Sequence, residues 1–235
     1  MNIRFDVVVL AGGFGTRLRE VVPDLPKPMA SVNGVPFLEI LLKRIVPLKP
    51  QKIVLSVGYR WQTISEYFKD SFQGVPVEYS VESVPLGTGG AFFKSLRDKC
   101  QSSVILLLNG DSFFDVDCLD LLEKHILTKS DISLALAKVP HIARYGQVLF
   151  HPNSQRVYQF IEKNGSSESG CINGGVYAVS STILGLKMPE HFSWENDILK
   201  AKLNELVVSG FEYDKTFIDI GIPEDYFKAQ EILKA

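Results

Sequence analysis

The sequence predicts an α/β fold built on a single Rossmann-like, doubly wound, mostly parallel sheet with antiparallel additions. Up to Ser130, short apolar runs alternate with amphipathic stretches, a pattern typical of strand and helix units in a parallel sheet. After Ser130, apolar runs follow one another with little helix between them, which favours antiparallel strands. A chain of 235 residues, 46% of them hydrophobic, can bury one sizeable core. We therefore expect one domain over residues 1–235, with 1–130 and 131–235 as its two halves.

The first half is predicted to contain four strands, each followed by a helix. The strands lie at 6–10, 53–57, 77–81 and 104–108, and the helices at 36–46, 61–68, 90–96 and 117–125. The unbroken apolar character of 104–108 indicates a strand buried on both faces, whereas 77–81 alternates as a more exposed strand does. The second half is predicted to hold strands at 132–139, 147–150, 157–161 and 171–179, and helices at 194–206 and 223–233. Pro223 suits the first turn of the last helix.

Composition argues against several classes of partner. A formal net charge of -2 provides no field that attracts nucleic acid. No apolar run approaches the roughly 20 residues that cross a bilayer. The first residues do not resemble a signal peptide, so we expect a cytoplasmic protein without a membrane span. The three cysteines are widely separated and lack metal-binding spacing, which indicates buried reduced thiols. These features favour a small ligand.

A glycine-rich segment that ends the first strand indicates an anion site. The segment is Leu10-Ala11-Gly12-Gly13-Phe14-Gly15-Thr16-Arg17-Leu18. Glycines let the backbone turn sharply and bring its amide donors close to an anion. A plain tight turn is the alternative. The Walker motif is absent, and the dinucleotide motif fails because Leu18 occupies the position of its third glycine.

Two cations near this segment favour chemistry on phosphates. Lys27 lies in Pro26-Lys27-Pro28, where the two prolines leave the backbone few alternatives. Together with Arg17, it could neutralise a polyphosphate and the charge that develops during transfer. Solvated surface cations are the alternative.

Two carboxylates occur where predicted strands end. Asp111 follows the most buried strand in Asn109-Gly110-Asp111, and Asp219 lies far along the chain in the segment 217–223. The carboxyl ends of parallel strands are where ligands bind in open α/β sheets. If both carboxylates converged, they could hold one Mg²⁺ that bridges substrate phosphates. Structural use as helix caps or turn residues is the alternative.

These residues resemble the sugar-phosphate nucleotidyltransferase family, whose fold is of the nucleotide-diphospho-sugar transferase type. The matching segments occur in family order across nearly the whole chain. They are Gly12-Gly13-Phe14-Gly15-Thr16-Arg17-Leu18 with Pro26-Lys27-Pro28, Leu86-Gly87-Thr88-Gly89-Gly90-Ala91, Asn109-Gly110-Asp111, Tyr145-Gly146, Phe160-Ile161-Glu162-Lys163, Asn173-Gly174-Gly175 and Phe217-Ile218-Asp219-Ile220-Gly221.

The resemblance implies a nucleoside triphosphate and a sugar 1-phosphate as substrates, with Mg²⁺ as cofactor. It implies that Arg17 and Lys27 are catalytic and that Asp111 and Asp219 hold the metal. Nucleotide contacts, mainly in the first half, are expected from Leu10, Ala11, Gly12, Gly13, Gly15, Thr16, Glu82, Gly87, Thr88 and Gly110. Sugar-phosphate contacts, in the second half, are expected from Gly146, Glu162, Lys163, Asn173 and Gly174. An exposed charge pair at 162–163 and a simple turn at 173–174 are the structural alternatives.

Within the family, the segments 27–30, 33–39 and 86–91 look most like those of D-glycero-α-D-manno-heptose 1-phosphate guanylyltransferases. This implies GTP as the nucleotide, with a mannose 1-phosphate or glucose 1-phosphate enzyme as the alternative. The implied mechanism is direct attack by an ionised phosphate oxygen on the α-phosphorus, which requires no general base, so none of the four histidines needs a catalytic role.

Two functions of other classes are disfavoured. A nicotinamide-dependent oxidoreductase should show the third glycine and an acidic residue at the end of the second strand. A catalytically silent nucleotide sensor should lack the cations or the carboxylates, and all four are present. A homodimer formed through exposed strands or helices is compatible with the sequence.

Overall fold

The computed structural model describes residues 3–13, 15, 18, 21–142, 144–162 and 168–233. Their strands are β1 (Phe5–Leu10), β2 (Ser31–Val32), β3 (Val35–Pro36), β4 (Ile53–Val57), β5 (Ser71–Phe72), β6 (Val75–Val81), β7 (Val104–Asn109), β8 (Ser112–Phe114), β9 (Ile132–Val139), β10 (Gln147–Phe150), β11 (Val157–Ile161), β12 (Gly170–Ser180), β13 (Val208–Tyr213) and β14 (Phe217–Asp219). Their α-helices are α1 (Phe37–Ile45), α2 (Trp61–Phe68), α3 (Gly87–Lys99), α4 (Cys118–Thr128) and α5 (Pro223–Ile232).

Ten of these strands form one mixed sheet, in which the longest path runs β11-β10-β12-β7-β1-β4-β6-β5. The four strands β7, β1, β4 and β6 are parallel. Strand β12 is antiparallel to β7 and also pairs with β9 and β10, so it joins the two halves of the chain. The predicted fold class, a mostly parallel doubly wound sheet with antiparallel additions, is confirmed.

Helices cover both faces of the sheet. Apolar residues of α1, α2 and α4 pack with one face, and those of α3 pack with the other. A smaller third cluster lies between α1, α5 and the short pair β8 and β14. None of the helices within the described ranges combines the length and apolar character that a bilayer span requires. The sheet core therefore holds the carboxyl ends of the parallel strands in fixed positions.

The second half departs from prediction in two places. The helix predicted at 194–206 is wrong in extent, because the structure has a single π-helical segment, Trp194–Lys200, followed by turns. Ser193 begins this segment and its hydroxyl accepts from the Asn196 amide. Strand β13 lies in a segment where no strand was predicted, and it runs parallel to β9 rather than antiparallel. The neighbouring β9 offered an open edge, and tertiary pairing decided the conformation of this short segment.

Strand β12 is bent next to the sheet's carboxyl edge. Its register against β9 shifts between Asn173 and Tyr177, as at a β-bulge. Gly175 has a φ of +71°, and a side chain on Gly174 would collide with the Phe114 ring. The Asn173-Gly174-Gly175 segment thus lets one edge of β12 change partner from β10 to β7, while its other edge stays paired with β9.

The cysteines are free thiols, as expected. Cys118 and Cys171 are buried and Cys100 is half-buried. Burial raises the pKa of all three thiols to about 12. They are therefore protonated and weakly nucleophilic at neutral pH.

Candidate active site

A cavity of about 870 Å³ opens at the carboxyl ends of the parallel strands. The first half contributes predicted site residues to its wall, namely Leu10, Ala11, Gly12, Gly13, Lys27, Glu82, Gly87, Thr88 and Asp111. The second half contributes Gly146, Glu162, Asn173 and Asp219. Residues that are distant in sequence thus share one concave site, which is where ligands bind in open α/β sheets.

The glycine-rich segment leaves β1 along the edge of this cavity. The Ala11 amide donates to the Ser56 carbonyl at 2.8 Å, which extends the contact between β1 and β4. A Cβ on Gly12 would lie 2.7 Å from Glu82 Oε1 and 3.2 Å from the Gly58 amide nitrogen, so any larger residue there would displace the Glu82 carboxylate. Gly15 has a φ of +58° and lies against the Lys27 side chain. Phe14, Thr16 and Arg17 lie outside the described residues.

Lys27 lies in a 3-10 turn, Lys27–Met29, whose Pro28 and Met29 are buried. The Met29 amide donates to the Pro26 carbonyl at 2.8 Å, which closes the turn. The Lys27 side chain is only 10% exposed, and its Nζ lies 2.6 Å from Asp111 Oδ2 and 3.7 Å from Asp219 Oδ1. The predicted cation and both predicted carboxylates therefore form one cluster, which we call the Lys27–Asp111–Asp219 cluster.

The pairing of two short strands brings the carboxylates together. β8 begins directly after Asp111 and runs antiparallel to β14, with Ser112 opposite Asp219. The Ile220 amide donates to the Asp111 carbonyl at 3.0 Å. A Cβ on Gly110 would lie 2.6 Å from the Leu10 carbonyl oxygen, so this glycine lets β7 turn tightly against β1. Gly110 itself does not line the cavity, but the tight turn at Gly110 positions Asp111, which does.

The electrostatics of the cluster fit a hard cation. Burial and the nearby Asp111 raise the pKa of the Asp219 carboxyl, and Lys27 lowers it in part. Two carboxylates beside one ammonium leave a net negative charge, which a divalent ion would balance. Carboxylate oxygens are ligands that Mg²⁺ prefers. Within the described ranges, no three His, Cys, Asp or Glu side chains gather to hold a metal alone, so water and substrate oxygens would have to complete its coordination.

Glu82 follows β6 and lines the cavity next to Gly12 and Gly58. Its Oε2 accepts from the Leu86 amide at 3.0 Å. Burial raises the pKa of the Glu82 carboxyl, and the Leu86 amide lowers it in part. Because one carboxylate oxygen has two lone-pair sites, Glu82 can accept further hydrogen bonds from a ligand.

The second half supplies a polar wall that includes a residue the sequence did not indicate. Lys200, at the end of the π-helical segment, forms an ion pair with Glu162 and donates to Asn196 Oδ1 at 3.0 Å. Both Lys200 and Glu162 line the cavity. A surface lysine in a predicted helix carries no sequence signal for this role, because only the tertiary approach of two segments creates the pair.

Asn173 lines the same cavity from the bend of β12. Its Nδ2 donates to the Tyr177 hydroxyl at 2.7 Å, and its Oδ1 accepts from the Gly175 amide at 3.2 Å. Gly174 packs against Phe114 and does not line the cavity. Lys163 lies outside the described residues.

Comparisons with known proteins identify a family for the whole chain. The family profile described as nucleotidyl transferase matches residues 6–235. The chain is 41% identical over 230 residues to D-glycero-alpha-D-manno-heptose 1-phosphate guanylyltransferase of Aneurinibacillus thermoaerophilus, covering 97% of this chain and 98% of the relative. It is 39% identical to the enzyme of the same name from Campylobacter jejuni, covering 94% and 96%. The crystal structure of HddC from Yersinia pseudotuberculosis complexed with GMP-PN superposes with a TM-score of 0.85 at 36% identity, covering 97% and 99%.

Proposed function

Because the chain belongs to the nucleotidyl transferase family, we propose that it joins the GMP part of GTP to D-glycero-α-D-manno-heptose 1-phosphate, which forms GDP-heptose and releases pyrophosphate. The observation that carries this proposal is the Lys27–Asp111–Asp219 cluster. It lies in a cavity to which both halves of the chain contribute. Two phosphorylated substrates can therefore meet at a single set of charged groups.

The reaction needs positioning and charge neutralisation more than proton transfer. An ionised oxygen of the sugar 1-phosphate attacks the α-phosphorus of GTP, and a new P–O bond forms. The bond from the α-phosphorus to the β-phosphate oxygen breaks, and pyrophosphate leaves with the electron pair. A phosphate oxygen is already ionised at neutral pH, so no general base is needed. Lys27 would neutralise charge on the phosphates at the reacting centre.

Mg²⁺ is part of the proposal. Asp111 and Asp219 would hold the ion, since their oxygens lie around one point of the cavity and Asp219 is half-buried beside another negative charge. When bound, the ion would neutralise the phosphate charge that increases during transfer. The contacts predicted for Arg17, Thr16 and Lys163 stay predictions from sequence. So do a cytoplasmic location and a homodimer.

Glu82 supports guanine as the base. The Watson–Crick edge of guanine presents two neighbouring donors, N1–H and N2–H, and a carboxylate can accept both. Glu82 lines the cavity beside Gly12 and Gly58, two residues that have no side chain of their own. The GMP-PN complex of the Yersinia pseudotuberculosis relative supports the same base.

Heptose is supported by the two curated relatives that match over nearly their whole length. Heptose and mannose differ by one hydroxymethyl group remote from the phosphate. An extra carbon changes binding by only about 1 to 3 kcal/mol unless a partner for its hydroxyl is present. The polar side chains of Glu162, Asn173 and Lys200 can supply such partners.

The test is an assay of pyrophosphate release with purified protein and Mg²⁺. Each nucleoside triphosphate is combined with a panel of sugar 1-phosphates that includes the heptose, mannose and glucose compounds, and pyrophosphate is measured. We expect the highest kcat/KM with GTP and the heptose phosphate. A higher value with another pair would overturn the substrate assignment. The absence of pyrophosphate with every pair would overturn the transferase itself.

A further inference from the structure

The segment 190–194 lies directly on the first turn of α3, with no space between the two backbones. A Cβ on Gly87 or Gly90 would collide with the carbonyl oxygen of Phe192 or Glu190, respectively. A Cβ on Gly89 would collide with the Phe192 ring. The glycines of the segment 86–91 therefore allow the two backbones to pack closely at these positions. Gly87 also lines the cavity.

Hydrogen bonds hold the two segments in one register. The Phe192 amide donates to the Leu86 carbonyl at 3.0 Å, and the Gly89 amide donates to the Phe192 carbonyl at 3.0 Å. The Trp194 amide donates to the Thr88 hydroxyl oxygen at 2.9 Å. This last bond is made by a side chain, so substitution can remove it without changing the backbone.

The residues on either side of Trp194 belong to the polar wall that the second half contributes to the cavity. Ser193 and Glu195 both line it. Glu195 Oε1 lies 3.4 Å from Asn173 Nδ2, which also donates to the buried Tyr177 hydroxyl. Trp194 itself is buried at 1% exposure and packs edge-on against Phe92 and Tyr177. Because Trp194 lies between them in the chain, the position of its amide determines where Ser193 and Glu195 line the cavity and where Glu195 meets Asn173.

We propose that Thr88 is a positioning residue for the sugar 1-phosphate site, acting through the Trp194 amide on Ser193 and Glu195. The sequence resemblance instead implies a nucleotide contact for Thr88. The inference rests on the proposed function, because it requires that the wall formed by Asn173, Glu195 and Ser193 binds the sugar phosphate. Thr88 lies in the nucleotide half of the chain, yet its hydroxyl oxygen is bonded to the segment that forms the opposite wall.

The test compares Thr88→Val, which keeps the shape and removes the hydroxyl, with Thr88→Ser, which keeps the hydroxyl. Loss of one partly buried hydrogen bond at the Trp194 amide should raise KM for the sugar 1-phosphate about tenfold. KM for GTP should stay within about twofold. Thr88→Ser should behave like the wild type. Amide hydrogen exchange of the peptide that contains Trp194 should be faster in Thr88→Val alone.

Each other outcome decides against the inference. A rise confined to KM for GTP would assign Thr88 to the nucleotide, and an equal defect in Thr88→Ser would show that the hydroxyl is not the determinant. Faster exchange with unchanged kinetics would mean that the contact is only structural. If Thr88→Val does not fold, Thr88→Ala provides the hydroxyl-free comparison. If the wild-type protein releases no pyrophosphate, the proposed function is wrong. Amide hydrogen exchange would then still test the contact between Thr88 and the Trp194 amide.

Discussion

Replacement of Glu82 by glutamine changes one carboxylate oxygen to an NH₂ group and so tests how this side chain recognises the base. Glu82 Oε2 is already engaged by the Leu86 amide at 3.0 Å. A glutamine that keeps this bond through its one oxygen presents its NH₂ group to the ligand. Guanine offers two donors at this edge, so a donor would then face a donor. The carboxylate form accepts both hydrogen bonds without conflict.

The expected magnitude follows from the bonds that are lost. A hydrogen bond to a charged group contributes roughly 1.5–3 kcal/mol, and each 1.4 kcal/mol corresponds to about a factor of ten. Loss of one such bond should lower kcat/KM for GTP about ten- to a hundredfold. Uracil presents one donor between two acceptors, which suits an amide, so kcat/KM for UTP should not fall. The ratio of GTP to UTP activity should therefore drop at least about tenfold.

The assay is pyrophosphate release at fixed sugar 1-phosphate with GTP or UTP varied. Glu78→Gln is the matched control, because Glu78 lies on β6, the strand that ends just before Glu82, but pairs with Lys52 at 2.6 Å and does not line the cavity. Burial raises the pKa of Glu82, so acidification should protonate it at a higher pH than an ordinary glutamate. KM for GTP should rise in wild type as pH falls through that pKa, and Glu82→Gln should lack this step. An unchanged GTP to UTP ratio in Glu82→Gln would refute the reasoning.

Three further perturbations address the charged cluster and the core. Lys27→Met leaves Asp111 and Asp219 without their ammonium, and kcat/KM should fall by roughly 10²–10³; activity within a few-fold of wild type would exclude a role for Lys27 at the phosphates. Asp219→Asn should shift the Mg²⁺ dependence of the initial rate to higher concentration, and a half-saturating Mg²⁺ concentration equal to that of the wild type would remove the metal assignment. Burial lowers the pKa of His125 to about 4 from 6.5. The unfolded chain therefore takes up a proton that the folded protein does not, and stability should fall by roughly 3 kcal/mol as pH falls from about 6.5 to 4. Denaturant unfolding across this range measures the loss, and a slope that persists unchanged in His125→Gln would assign it to other groups.

The parallel part of the fold was predictable because it depends on local pattern. Each predicted strand of the first half overlaps an observed one, since continuous or alternating apolar runs indicate burial directly. Strand β13 was missed although Val207 and Val208 are β-branched and Phe211 and Tyr213 alternate with polar neighbours. Its conformation depends on the open edge of β9, which no local signal reveals.

The site was predictable where a residue's position follows from the order of strands. Asp111 comes directly after β7, and the topology alone places it at the ligand-binding edge. Its approach to Asp219 depends on the pairing of two three-residue strands, β8 and β14, which are too short for periodicity to reveal. The contacts of Lys200 with Glu162 and of Thr88 with Trp194 depend on segments far apart in sequence. Charged and hydroxyl side chains are equally common on surfaces that bind nothing, so their presence in the sequence does not predict these contacts.

The insertion of β12 beside β7 has a consequence for synthesis on the ribosome. Strand β7 is a buried apolar strand at the edge of the first half's parallel strands, and its outer edge is paired only by residues 176–180. Until that part of the nascent chain emerges, β7 presents a row of unpaired amides and carbonyls, the kind of edge along which chains associate. A fragment that ends after α4 would keep this edge permanently, and it should accumulate as insoluble material during expression.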